Sequence, residues 1–230
     1  MKSLSHPDSD TRRRMLLGLL AGGLSLPAVL RQALAQQGPA LQGLRSVQGD
    51  VRVNGQPAAQ GTLVLPGDTV STARGAMAMF VVGQDAYLMR EDSRAELTGV
   101  AQIVDVLRLA TGRLMGVFGK GGDRRIVTPS ATIGIRGTGA YLEAEDGRSY
   151  FCLCYGSAEI ATTDGAARDA YSTRHHDSPR YIYGDGRANA IVSASVSNHT
   201  DAELIMLEAL TGRQPPQSVL DGPMMSNPYR

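Results

Sequence analysis

Gly49-Asp50-Val51-Arg52-Val53-Asn54-Gly55 decides the fold class. Val51 and Val53 alternate with polar neighbours, the period of a half-buried strand. Asn54-Gly55 supplies the positive φ that a two-residue hairpin turn needs. The same punctuation recurs along the chain. Leu63 and Leu65 lead into a Pro66-Gly67-Asp68 turn and Val70, residues 76–82 and 86–89 read as strands, and Ile103, Leu107 and Leu109 continue the pattern to Gly112. Beyond the Gly119-Lys120-Gly121-Gly122 loop, Ile126-Val127 opens a second half, Asp146-Gly147 marks another hairpin, and residues 150–155 form an aromatic-rich strand. Strand-length runs spaced roughly 8–12 residues apart predict a mainly β chain, either an antiparallel sandwich or roll or a short solenoid-like module.

One segment breaks that habit. Thr200-Asp201-Ala202-Glu203 has capping-box spacing, Leu204, Leu207 and Leu210 recur on one helical face, and Gly212 follows where a C-terminal glycine belongs. The expected order is residues 1–35 as an export signal, 36–46 as a linker, 47–198 as the β domain, 199–213 as an amphipathic helix and 214–230 as a flexible tail.

The signal is read from Thr11-Arg12-Arg13-Arg14-Met15-Leu16-Leu17, a mostly apolar run over residues 15–30, and Ala33-Leu34-Ala35 before Gln36. A basic start, a short apolar stretch and a small-x-small site define a cleaved secretory signal. The paired arginines beside the apolar run resemble the twin-arginine export type. Read as an uncleaved membrane anchor, the same run is short for a span of ~20 residues and carries three glycines and a proline. The mature protein is therefore expected in the periplasm, with inner-membrane anchoring as the alternative.

The chain of 230 residues has 42% apolar and 20% charged residues, enough to bury a core. Its 23 basic and 22 acidic residues become 18 and 20 once residues 1–35 are removed. No basic footprint for nucleic acid is present. Two cysteines exclude a disulfide-dense scaffold. There is no G-x-S-x-G elbow, H-E-x-x-H pair or dinucleotide fingerprint, so a non-enzymatic chain is expected. Glu143 and Glu145 share a strand face beside Asp146-Gly147 and read as a solvated hairpin tip rather than a catalytic pair.

Three stretches carry a resemblance: Gly49–Gly55 above, Leu65-Pro66-Gly67-Asp68-Thr69-Val70-Ser71-Thr72 with Gly75-Ala76-Met77-Ala78-Met79-Phe80, and Val127-Thr128-Pro129-Ser130-Ala131-Thr132-Ile133-Gly134-Ile135-Arg136-Gly137-Thr138. Residues 47–160 thereby resemble the FecR-like family, named for an iron-dicitrate transport regulator. Thr128, Pro129, Gly134, Arg136, Gly137 and Thr138 stand at the positions of its hallmark string. The resemblance implies an extracytoplasmic β module without catalysis, engaging an envelope protein or cell-surface component. The stretch ahead of the arginines leaves no room for the cytoplasmic anti-sigma segment of those regulators, so a stand-alone binding or scaffold module is expected, with homo-oligomerisation through strand edges open to it. Gly134, Gly137 and Gly139 read as bulges or close backbone packing. Arg136 is expected to pair with a buried carboxylate or to grip an anion.

Cys152 and Cys154 lie two apart on a strand and so face one side. His175-His176 stands in a turn-prone stretch before Asp177-Ser178-Pro179. Three readings stay open: structural cysteines, buried or bridged, with surface histidines; a zinc or copper site of Cys152, Cys154, His175 and His176; or a redox-active thiol pair. A Cys154–His176 nucleophile pair has no motif behind it. His199, at the helix start, reads as structural.

Overall fold

The computed structural model of the chain describes residues 42–221. The export signal, its cleavage site and the end of the tail lie outside the described residues. The molecule is mainly β, as expected, with a short C-terminal helix. Among the described residues fourteen strands form one mixed sheet: β1 (Gly43–Gln48), β2 (Val51–Val53), β3 (Gln56–Pro57), β4 (Thr69–Thr72), β5 (Met77–Val82), β6 (Asp85–Met89), β7 (Ser93–Val100), β8 (Ile103–Val117), β9 (Arg124–Val127), β10 (Ala131–Glu145), β11 (Arg148–Thr162), β12 (Arg168–Thr173), β13 (Arg180–Tyr183) and β14 (Ile191–Ser193). Among the described residues every strand pairing is antiparallel except β8 with β9. Among the described residues no helix is long and apolar enough to cross a membrane.

Three 15-residue strands roll the sheet up, because each changes partner along its length. β8 pairs β7 and β9 early and β6 and β10 late, while β11 gives one end to β13 and the other to β12. Glycines make the bends. β10 loses register between Arg136 and Ala140, with Gly137 at φ 54°. A Cβ on Gly156 would lie 2.5 Å from Thr138 Cγ2, and one on Gly139 2.7 Å from Leu204 Cδ1. Gly134 differs, since a Cβ there would meet nothing closer than 3.9 Å. Thr128 closes the β9–β10 turn by accepting from Ala131 N–H at 3.1 Å.

One face of the sheet holds the main core, including Leu107, Leu114, Ile133, Leu142, Phe151 and Leu153. The opposite face is also buried where the long strands meet. There Met79, Leu88, Met115, Tyr141 and Cys152 form one row across five paired strands. Helix α1 (Asp201–Leu210) packs on β6 and β8 and, with the segment before it, covers that face. Leu204 and Leu207 are fully buried, each contributing about 1.5–3 kcal/mol by leaving water. Thr200 and Glu203 form the expected capping box. Gly212 N–H donates to Ala209 O and Arg213 N–H to Glu208 O, a Schellman ending.

The structure departs from the sequence reading at several points. Leu63 and Leu65 form no strand and are exposed. β1 begins inside the stretch read as a linker. A short helix, α2 (Gln217–Asp221), with Val219 buried, stands where a flexible tail was expected. Glu143 is buried, accepting from Tyr141 OH at 2.9 Å and Asn198 Nδ2 at 2.7 Å, because the segment before α1 covers it. Glu145 alone is at the exposed tip. Arg136 is 71% exposed and pairs with exposed Asp123. The buried ion pair belongs instead to Arg124, whose Nε lies 3.2 Å from Asp85 Oδ2 and whose Nη1 donates to Gly119 O and Gly121 O.

Candidate metal centre

Strand alternation sends Phe151 and Leu153 into the main core and turns Tyr150, Cys152 and Cys154 to the opposite face. Both sulfurs are fully buried and unbridged. A turn after β12 brings His176 to them. Its backbone sits at φ 49°, an uncommon conformation for a side-chain-bearing residue that the surroundings must hold. His176 N–H donates to Cys154 O at 3.1 Å, and Asp177 Oδ2 accepts from Thr173 OH at 2.6 Å. His199 arrives from the segment before α1, which is stitched to the sheet by Tyr150 OH donating to Ser195 O and by Arg90 donating to Asn198 O. Tyr141 stacks on the His199 ring, centroids 4.5 Å apart.

The donor atoms of Cys152, Cys154, His176 and His199 all lie within 4.8 Å of one another. His176 Nδ1 is 3.4 Å from Cys152 Sγ and 3.0 Å from His199 Nε2. A tetrahedral zinc site with ordinary bond lengths has edges of about 3.3 Å between nitrogens and about 3.6 Å between nitrogen and sulfur. These two distances are close to such edges, and the remaining donor pairs lie within 4.8 Å.

The outer partners set the tautomers. His176 Nε2 lies 3.0 Å from Asp201 Oδ1, and His199 Nδ1 lies 2.6 Å from Ser197 O. Carboxylate and carbonyl oxygens only accept, so these two nitrogens carry the protons. That leaves His176 Nδ1 and His199 Nε2 with lone pairs pointing at each other beside a sulfur. Such an arrangement requires a cation, either a proton or a metal. Burial works against charge on His176, but hydrogen bonds to Asp201 and Cys152 raise it to about 9. Burial likewise opposes ionisation of Cys152, yet contacts with Cys154, His176 and His199 hold it well below the usual thiol range. Burial and the neighbouring Cys152 push Cys154 up.

Of the residues singled out in the sequence, the structure brings Cys152, Cys154 and His176 together. His175 falls into a second group with His176 and Asp201, its Nε2 3.0 Å from the same Asp201 oxygen. The fourth member of the buried cluster is His199, which the sequence reading set aside. Its pairing with residues 23 and 47 positions upstream leaves no local spacing signal; only its place beside a helix cap marked the position. The hallmark residues lie apart from this cluster: Thr128 and Pro129 in a turn, Gly137 and Thr138 at the β10 bend.

No family model matches the chain, and no curated protein does. Two crystal structures of a proposed anti-sigma factor from Parabacteroides distasonis ATCC 8503 are similar to it, each at a TM-score of 0.46 and 10% identity over 55% of this chain. The chain spans 59% of the length of that protein. The likeness is a partial one of backbone arrangement and assigns neither family nor function.

Proposed function

We propose that this chain is an exported, non-catalytic β module built around one closed metal centre, with Cys152, Cys154, His176 and His199 as the four ligands. The observation that carries the reading is the convergence of His176 Nδ1 and His199 Nε2, 3.0 Å apart beside two buried sulfurs, with an oxygen acceptor on the remote nitrogen of each ring. Orientation of ligating imidazoles by a carboxylate or carbonyl on the remote nitrogen is the general design of protein metal sites. Four protein donors leave no open position, the pattern of a structural rather than a catalytic site. Charge favours zinc over copper(I), since two thiolates neutralise a divalent ion, whereas a monovalent one leaves net negative charge in a buried site beside Asp201. Full burial of both sulfurs counts against a redox pair, which needs an accessible thiolate.

The ion ties β11, the turn after β12 and the segment leading into α1 into one unit. In this reading that unit is the rigid scaffold from which the module engages an envelope partner. Export rests on Thr11–Ala35 and is tested separately, by fractionation and N-terminal mapping of the mature chain.

The deciding experiment is elemental analysis of the chain purified without chelator or polyhistidine tag. About one equivalent of zinc, lost in Cys152→Ser and in His199→Ala, is expected for a single four-ligand site. Absence of stoichiometric metal, or its retention in Cys152→Ser, overturns the reading.

A further inference from the structure

The four donors of the centre are sealed. Cys152, Cys154 and His199 have no exposed surface and His176 has 4%. The paired strands lie on one side, and Tyr141 and the segment stitched by Tyr150 lie on another. His175 is different: its side chain is 15% exposed. Its Nε2 lies 3.0 Å from Asp201 Oδ1, and that same oxygen lies 3.0 Å from His176 Nε2. The donor atoms of His175, His176 and Asp201 fall within 4.8 Å of one another, so His176 belongs to both groups. The left-handed backbone at His176 is what turns two adjacent imidazoles to one side; in a regular strand they would face opposite ways.

We propose that His175 and Asp201 form an outer capture site for a divalent cation on its way to the buried centre, with the His176 ring standing between the two, its Nε2 on Asp201 and its Nδ1 on the centre. This rests on the metal-centre reading above. Asp201 is 1% exposed, and a carboxylate in so dry a position attracts a cation far more strongly than one in water. Imidazole and carboxylate together form a donor pair that zinc accepts. The ion takes the place of the proton between His175 Nε2 and Asp201 Oδ1, and that proton leaves to water. Exchange of these donors for His176 Nδ1, His199 Nε2 and the two sulfurs then completes the transfer, and the protons that the thiols and the facing ring nitrogens held leave to water. A route of this kind changes rates in both directions equally, because release retraces loading, and it leaves the equilibrium affinity alone.

The test follows cobalt(II) into the metal-stripped chain by the thiolate-to-cobalt absorbance, and its removal by excess chelator, in the wild type and in His175→Gln. Glutamine keeps a donor to Asp201 and lacks a ligating nitrogen, so the carboxylate remains held. The expected result is loading and release both slowed by about tenfold, with unchanged affinity and one ion per chain. Unchanged rates overturn the proposal. Weaker affinity with unaltered loading also overturns it, by showing that His175 serves only to hold Asp201. A wild-type chain that takes up no cobalt removes the metal centre itself, an outcome distinct from both.

Discussion

His176 Nδ1 faces His199 Nε2 across 3.0 Å, and an oxygen acceptor holds the remote nitrogen of each ring. Two lone pairs at that distance repel unless a cation lies between them. The two rings come from segments 23 residues apart in the chain, and each follows or occupies a left-handed backbone position, at Asn198 and His176. The fold thus commits two strained turns to bringing these nitrogens together beside the Cys152 sulfur.

The histidines therefore separate by variant. His199→Ala is expected to abolish stoichiometric metal, whereas His175→Ala retains it at equilibrium. Asp201→Asn keeps the four ligands but weakens the hold on the His176 tautomer, with an expected loss of about 10–100-fold in affinity. Competition against a calibrated chelator measures all three, and metal retained in His199→Ala would exclude His199 as a ligand.

Chelation should loosen a particular region. Ion at 100 times its dissociation constant adds about 2.7 kcal/mol to stability, so stripping it lowers the denaturation midpoint accordingly. Hydrogen exchange should then quicken first in residues 195–213, the segment that the centre ties to β11. Uniform quickening over the whole sheet would contradict a local clasp.

The buried Arg124–Asp85 pair and the exposed Arg136–Asp123 pair provide a stability test. Arg124→Met leaves the Asp85 carboxylate buried with only Gly119 N–H at 2.8 Å and Tyr87 OH at 3.3 Å, an expected cost of about 3–5 kcal/mol. Arg136→Ala removes an exposed pair and should stay within about 0.5 kcal/mol. Urea denaturation of both variants decides it; equal effects would show that the Arg124 pair is not sealed from water.

Asp85 also makes stability depend on pH. Burial raises its carboxyl above the ordinary 3.8, against the opposing pull of Gly119 N–H and Arg124. Between the ordinary and the raised value the folded chain keeps a proton that the unfolded chain has released. Its contribution is complete below the ordinary value and disappears as pH rises through the raised one. Asp85→Asn should flatten that part of the stability–pH curve; an unaltered slope would place the titration elsewhere.

Gly139→Ala tests the seat of α1. The added methyl would lie 2.7 Å from Leu204 Cδ1 and from Tyr155 Cε1, so helix or ring must shift, at an expected 1–3 kcal/mol, roughly the cost of overpacking a core. Thermal unfolding measures this, and an unchanged midpoint would mean that the helix rides loosely on the sheet.

The amino-acid order by itself determined the class of fold and its local devices. Period-two alternation from Val51, the Asn54-Gly55 and Asp146-Gly147 turns and the Thr200–Glu203 capping box are short-range signals, readable because the interacting groups are neighbours in sequence. The same logic placed Cys152 and Cys154 on one face. Tertiary structure decided what that face meets. Glu143 became buried, Arg124 rather than Arg136 took the sealed ion pair, and His199 rather than His175 joined the thiols. Each outcome depends on how the sheet rolls and where the segment before α1 lies across it. A donor set assembled from β11, a turn and a helix leader has no period and no spacing, so only the closing of the chain onto itself reveals it.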